Sequence, residues 1–341
     1  MDIKQRIRLS KFIKELADEK TAVLVIEHDL IVLDYIADLI HVMYGQEDVY
    51  GVVSQTKSVR NGINIYLSGF LREENVRFRD NEIKFFAKPP TTFVKRTSLT
   101  SWENISKKLG NFHLKAEQGI LNKHEVIGIL GENGIGKTSF AKILAEVEKP
   151  DSGELTAKVK VSYKPQYLES SDDLVASVLH DAIKKEAQIM RPLHLKNLML
   201  KKLNELSGGE LQRVAIAVCL ARDVDLYLLD EPSAALDVEQ RLVVSSTIKS
   251  LMEQTGKTAL VIDHDVLFVD YLSDRLIVFD GEPAVSGIVK GPFSMEQGMN
   301  IFLSDLNVTM RRDQESQRPR INKPDSQMDQ MQKREGKLYY A

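Results

Sequence analysis

A single cysteine in 341 residues leaves nothing for an intramolecular disulfide to join. Cys219 lies inside the apolar run VAIAVCLA and reads as a buried, inert thiol, which suits a reducing compartment. Long apolar runs are missing too: no stretch approaches the ~18–20 residues of a membrane span. The amino terminus, MDIKQRIRLSKFIKEL, is charged and amphipathic and has no secretory apolar core. These absences argue against an integral membrane protein or an exported one, and a cytoplasmic location is expected. Charge of one sign is scarce as well. A net charge of −3 creates no strong global field toward nucleic acid or an anionic membrane, so any such affinity must come from a local patch. What remains is ordinary: 43% hydrophobic and 28% charged residues are the proportions of a globular protein. The length exceeds the ~250–300 residues at which single cores stop growing, so two domains, or one and a fraction, are expected.

The chain repeats itself. MDIKQRIRLSKFIKELADEKTAVLVIEHDLIVLDYIADLI from Met1 resembles LDVEQRLVVSSTIKSLMEQTGKTALVIDHDVLFVDYLSDRLI from Leu236, so that Asp2 falls on Asp237, His28 on His264, Asp29 on Asp265 and Tyr35 on Tyr271. The match continues through SVRNGINIYLSGF (58–70) against SMEQGMNIFLSDL (294–306). Each copy reads as helix, β-branched strand (AVLVIEHD; ALVIDHD), helix and strand, an α/β alternation that implies a parallel sheet covered by helices. The stretch 71–100, with Pro89, Pro90 and crowded basic residues, reads as a linker. Beyond Arg311 the polar, proline-containing sequence reads as an extended tail.

The second copy carries the chemistry. HEVIGILGENGIGKTSFAKILA runs from an apolar strand through a glycine loop into an amphipathic helix, the context of a phosphate loop. Gly131, Glu132, Asn133, Gly134, Ile135 and Gly136 would turn backbone amides around phosphates; Lys137 would reach the β- and γ-phosphates, and Thr138, followed by Ser139, would offer its hydroxyl to Mg²⁺ at the helix start. DLYLLDEP ends in Asp230, suited to holding Mg²⁺ through water, and Glu231, suited to polarising an attacking water. Two acids at a strand end are by themselves more often a solvated turn. In LNELSGGELQRVAIAVCLAR, Ser207, Gly208, Gly209 and Glu210 form either a second anion site or a simple capped helix start. Gln166 could reach the metal's water, or be merely exposed; His264, after a strand, could sense a γ-phosphate, or be structural.

The order GENGIGKT, Gln166, LSGGE, LLDEP, SAALD, His264 resembles that of the ATP-binding cassette superfamily across 101–300. The resemblance implies a P-loop NTPase fold with a helical subdomain and two cassettes closing face to face, each nucleotide lying between the phosphate loop of one and the signature residues of the other. Glu231 would then be the catalytic base, His264 the γ-phosphate sensor and Asp237 the D-loop aspartate. ATP and Mg²⁺ are the implied cofactors, with Thr138, Gln166 and Asp230 around the metal. For the adenine, Phe112 is the first candidate and Trp102 the second, with core packing the competing reading for both.

Two further segments, YGVVSQTKSVRNGINIYLSGFLREENVRFR (50–79) and RRDQESQRPRINKP (311–324), resemble the ribosome-recycling ATPases, also called the RNase L inhibitor family. That resemblance divides the chain into 1–70, the carboxy-terminal part of a first cassette; 71–100, a basic hinge; 101–300, a complete second cassette; and 301–341, a second hinge segment and tail. It implies ATP-driven splitting of ribosomal subunits, with the small subunit and recycling or termination factors as partners and no membrane. RNA contact is implied through Lys57, Arg60, Arg72, Arg77, Arg79, Lys95 and Arg96, and through Arg311, Arg312, Arg318 and Arg320, though such runs are often only solvated. Full-length members carry two iron–sulfur clusters; one cysteine can build none here. The chain therefore reads as an amino-terminally truncated member whose monomer binds MgATP and hydrolyses it weakly, unless two copies pair or a separate first-cassette polypeptide completes it. His28 would be idle. The motor subunit of a membrane transporter and a non-catalytic ribosome-binding remnant are the competing readings.

Overall fold

The computed structural model describes residues 3–46, 49–80, 82–85, 97–166 and 171–340. The chain divides into a larger unit, Phe93–Phe302 with Met1–Ile3, and a smaller one assembled from Lys4–Thr92 and Leu303–Ala341.

The larger unit is built on a nine-stranded sheet in the order Ser152–Leu155, Ser98–Leu109, Phe112–Asn122, Ser286–Ser294, Arg275–Glu282, Val126–Leu130, Thr258–Ile262, Leu226–Asp230, Val161–Lys164. From Arg275–Glu282 onward the neighbours are parallel; the first three strands form an antiparallel wing. VIGIL, LYLLD and TALVI are buried at every position because both faces of the parallel part are covered. Successive side chains alternate between two cores. Ile127, Ile129, Leu228, Leu260 and Ile262 face Phe140 and Trp102 on one side, while Tyr227, Leu229, Ala259 and Val261 face the other. That second core also takes Val175, Leu179, Ile189 and Leu195 from the short helical turns before the Gly208–Ala221 helix, which form the expected helical subdomain. The architecture is the α/β P-loop fold that the motifs imply.

In the smaller unit, the helices Ile3–Glu15, Leu30–Ile36, Val59–Ser68 and Gln327–Glu335 stand among four two-stranded pairings. The repeat holds down to single contacts. Asp29 caps its helix by accepting from the Ile31 and Val32 amides and takes Arg6 at 2.8 Å; Asp265 caps its helix through Phe268 N and takes Arg241. Gly62 and Gly298 share a reason for being glycine: a Cβ on Gly62 would lie 3.1 Å from Ile40, and one on Gly298 would lie 2.7 Å from Leu276, its repeat counterpart.

The copies part at their central strand. Thr258–Ile262 lies between two parallel neighbours, whereas residues 21–29 form no strand. Leu24 and Ile26 there are 88% and 80% exposed. A β-branched sequence becomes a strand only where a ladder partner satisfies its backbone, and among the described residues none lies beside it.

Within 71–100, Leu71, Ile83 and Phe85 are buried, Arg72, Glu73, Asn75 and Arg77 are exposed, and Ser98 opens a twelve-residue strand. Residues 86–96, with Pro89, Pro90, Lys95 and Arg96, lie outside the described residues, as does Asp2. One further reading is corrected, that of the carboxy-terminal segment after Arg311, which is not an extended tail. It forms the pairing of Met310–Arg312 with Pro319–Ile321 and the Gln327–Glu335 helix, capped by Ser326. Polar contacts order it: Thr309 Oγ1 donates to Asp329 at 2.6 Å, Asn322 Nδ2 to Thr309 at 2.8 Å and Gln332 Nε2 to the Met310 carbonyl at 2.9 Å. Counting apolar residues misses stabilisation of this kind.

Candidate functional site

The phosphate loop leaves the buried strand Val126–Leu130 and enters the helix Lys137–Leu144. Gly131 has φ 153°, and a Cβ there would lie 2.7 Å from both Ile135 and Phe279; Gly136, with φ 88°, caps the helix, and its Cβ would meet the Phe112 ring at 2.9 Å. Only glycine holds this backbone, so the amides stay accessible. Lys137 curls back over the loop, Nζ donating to the Gly131 carbonyl at 2.8 Å and to that of Glu132 at 2.6 Å. From the next residue, Thr138 Oγ1 donates to Asp230 Oδ2 at 2.9 Å, joining the loop to the neighbouring motif.

Asp230 ends the Leu226–Asp230 strand, and Glu231 turns away from it with φ 48°. Burial raises the Asp230 carboxyl above its ordinary value, against the bonds from Thr138 and Tyr163. Glu231 goes the opposite way. His264 first, and then Gln166 against the effect of burial, hold its carboxyl down to about 2, so it is a carboxylate at neutral pH. His264 Nε2 lies 3.1 Å from Glu231 Oε1. Asp263 accepts from Ser233 N and Oγ at 2.9 and 2.7 Å, fixing the loop after Glu231.

The phosphate loop, Asp230, Glu231, Gln166 and His264 therefore converge. The signature residues do other work within the unit. Ser207 and Glu210 make a capping box, with Ser207 N donating to Glu210 Oε2 at 2.8 Å, and Lys201 adds an ion pair at 2.9 Å. Gly208 and Gly209 lie against Ala235, where a Cβ on Gly209 would come within 3.0 Å of the carbonyl. Asp237 caps the Val238–Thr255 helix through Gln240 N at 2.8 Å.

Trp102 is corrected: at 1% exposure it packs edge-on to Phe140 with ring centroids 5.2 Å apart and presents no face to a ligand. Phe112 is half-buried beside the loop. The basic residues also need revision as a nucleic-acid surface. Arg318 is fully buried on Asp34, which Arg320 also pairs at 2.9 Å. Lys57 is buried on Glu73 and Glu74, and Arg60 pairs Asp313 at 3.0 Å. Arg79 lies over Tyr66 and Arg312 over Tyr340. Arg72, Arg77 and Arg311 are exposed.

Three residues around the acidic pair escaped the motif reading. Tyr163 donates its hydroxyl to Asp230 Oδ2 at 3.4 Å, and burial pushes its pKa up to about 12. Lys164, 1% exposed, donates to the Asp230 carbonyl at 2.8 Å, and burial lowers its pKa to about 8. Gln212 donates to the Glu231 carbonyl at 2.6 Å. A lysine in the buried strand KVSYK was the available signal. Cys219 is buried, its thiol pushed up to about 11 by that burial.

Against known proteins, the ABC transporter family matches residues 114–234. Over its full length the chain is 51% identical to an uncharacterized ABC transporter ATP-binding protein of Methanocaldococcus jannaschii and 40% identical to translation initiation factor RLI1 of Saccharomyces cerevisiae. It spans 58% of the length of each. It also superposes on the archaeal ribosome recycling factor aABCE1, solved in complex with the ribosomal stalk protein aP1, with TM-score 0.93 and 49% identity, covering all of this chain and 68% of that one. No helix among the described residues is long and apolar enough to cross a membrane. A full-chain match at this identity to a cassette protein of known fold, together with a phosphate loop joined to its acidic pair, shows that the chain belongs to the ribosome-recycling, or RNase L inhibitor, family of ATP-binding cassette ATPases.

Proposed function

We propose that the larger unit binds MgATP and hydrolyses it, as the motor of a ribosome-recycling ATPase. One observation carries the reading: Thr138 meets Asp230 at 2.9 Å, and at the next residue the ionised Glu231 lies 3.1 Å from His264. The residues fit the ligand. The loop holds backbone where a Cβ would collide, and one hydroxyl with one carboxylate is a hard-oxygen set that Mg²⁺ accepts while keeping waters and phosphate oxygens. MgATP, when bound, supplies the scissile phosphoanhydride and the metal's charge. Lys137 exchanges the Gly131 and Glu132 carbonyls for phosphate oxygens. Thr138, Asp230 and Gln166 hold the metal and its water, Glu231 orients the attacking water and accepts its proton, and His264 contacts the γ-phosphate. Phe112 is the adenine platform.

Ser207, Gly208 and Gly209 serve the nucleotide of a facing cassette, so turnover by the isolated chain rises with protein concentration or with an added partner cassette. The names of two relatives, a translation initiation factor and a ribosome recycling factor solved with a stalk protein, support the ribosome as the partner; the small subunit, recycling factors and the cytoplasm are the finer proposal. Among the described residues of the basic runs, Arg72 and Arg311, and Arg77 where it lies over Phe70, are exposed enough to meet RNA.

Glu231→Gln tests the chemistry. Binding of MgATP should persist while turnover falls by roughly 10²–10⁴-fold, the usual worth of a positioned general base; unchanged turnover would sink the reading. Cosedimentation with small ribosomal subunits tests the role, and pelleting with membranes instead would favour a transporter motor.

A further inference from the structure

Behind the acidic pair, two buried side chains grip the backbone of the proposed catalytic residue. Lys164 ends the Val161–Lys164 strand; its Nζ donates to the Asp230 carbonyl at 2.8 Å and lies 3.4 Å from that of Glu231. Gln212, 7% exposed, comes from the Gly208–Ala221 helix, and its Nε2 donates to the Glu231 carbonyl at 2.6 Å. The Ala234 amide reaches the same oxygen at 3.3 Å, and Glu231 N is held by Ile262 O at 2.8 Å. Glu231 needs such holding. A glutamate at φ 48° sits in the left-handed region, a conformation that costs about 1–3 kcal/mol and persists where the surroundings over-determine it. That turn takes the chain off the strand and sets the carboxylate against His264. The Lys164 ammonium is directed at two carbonyls rather than at a carboxylate, an expensive use of a buried charge that packing alone does not explain.

We propose that Lys164 and Gln212 are positioning residues that clamp the Glu231 peptide in its left-handed turn, and that Gln212 makes the place of the carboxylate depend on the signature helix. Gln212 follows Ser207 by five residues on that helix, about 7 Å along its axis. Any displacement of this helix would move the donor on the Glu231 carbonyl, which links the signature residues to the base within one cassette. The inference rests on the ATPase reading for its kinetic consequence and on geometry alone for the clamp.

The test uses the full chain with Lys164→Met and Gln212→Met, which keep side-chain length and remove the donor, and Gln212→Asn, a milder change should either fail to fold. With the carboxylate loosened by an ångström or less, kcat should fall by roughly 10–10²-fold while MgATP affinity, read with a fluorescent ATP analogue, stays within about twofold. Amide exchange should quicken at 231–236 and stay unchanged in the Thr258–Ile262 strand. Adding Gln212→Met to Glu231→Gln should lower turnover no further. Unchanged exchange at 231–236 would overturn the clamp whatever the kinetics; faster exchange throughout the sheet would reduce both residues to core packing. Failure of the ATPase reading shows separately, as wild-type turnover indifferent to Glu231→Gln, and leaves the exchange result to decide the clamp.

Discussion

Glu231 and Asp230 are adjacent and acidic, yet their surroundings push them apart. Burial raises Asp230; His264 and Gln166 lower Glu231 from 4.5 to about 2. The sign for stability follows: a carboxylate with a depressed folded value contributes fully above about 4.5 and loses that contribution as pH falls toward about 2. For turnover, Glu231 stays ionised across the physiological range, so an acid limb near neutrality belongs to another group. His264→Ala removes the largest lowering influence, so the Glu231 carboxyl, followed directly by NMR titration, should titrate higher than in the wild type; an unmoved carboxyl would contradict the assignment. The two aromatic candidates separate in the same experiment series. Phe112→Ala should weaken MgATP binding by the roughly 1–3 kcal/mol of one stacked base and, because its ring is half-buried against the core, lower the melting temperature less than Trp102→Ala does. Trp102→Ala should leave the site's chemistry alone and cost about 3–5 kcal/mol of stability, as a buried aromatic does.

Among elements, the repeat offers its own control. Two segments of nearly the same sequence become, in one copy, a buried central strand and, in the other, an exposed stretch with Leu24 and Ile26 bare. An open, β-branched backbone is a template for pairing with another chain. The double variant Leu24→Lys/Ile26→Lys should therefore reduce concentration-dependent light scattering without lowering the melting temperature, while Leu260→Lys in the second copy should prevent folding. A Cβ on Gly298 would lie 2.7 Å from Leu276, closer than one on its counterpart Gly62 would come to Ile40 at 3.1 Å, so Gly298→Ala should cost about 1–3 kcal/mol through overpacking and Gly62→Ala less.

At the scale of the whole molecule, the smaller unit is closed by charge. Asp34 takes Arg318 and Arg320, Asp313 takes Arg60 and Arg320, and the carboxy-terminal segment is thereby fastened to helices more than two hundred residues earlier. Asp34→Ala leaves a buried guanidinium without its counter-charge and should destabilise this unit by about 3–5 kcal/mol, read as an early transition in thermal melts. Asp313 gives the clasp a pH dependence. Burial opposes its ionisation, but the Ser316 and Glu315 amides, Asn64 and Arg60 outweigh that and hold the carboxyl well below the usual carboxylate range. Its contribution is complete above an ordinary aspartate value of about 4 and is lost as pH falls below it. Asp313→Asn should flatten the fall of melting temperature as pH drops below about 4, and leave the profile above that value unchanged.

What could be read along the chain was what is local or periodic. The phosphate loop, the acidic pair and the signature cap are runs of a few residues whose geometry follows from their own backbone, and the fully apolar strands announce a sheet covered on both faces. The repeat, too, was visible as identity at a fixed offset. Tertiary structure alone decided the rest, because each remaining feature depends on a partner distant in sequence. Whether AVLVIEHD is a strand depends on a ladder beside it; whether Arg318 meets solvent or Asp34 depends on a contact across 284 residues. That Lys164 and Gln212 hold the Glu231 carbonyl follows from two elements meeting behind a third. Residue type and spacing carry bonds along the backbone; long-range satisfaction of backbone and charge is settled only when the chain has folded.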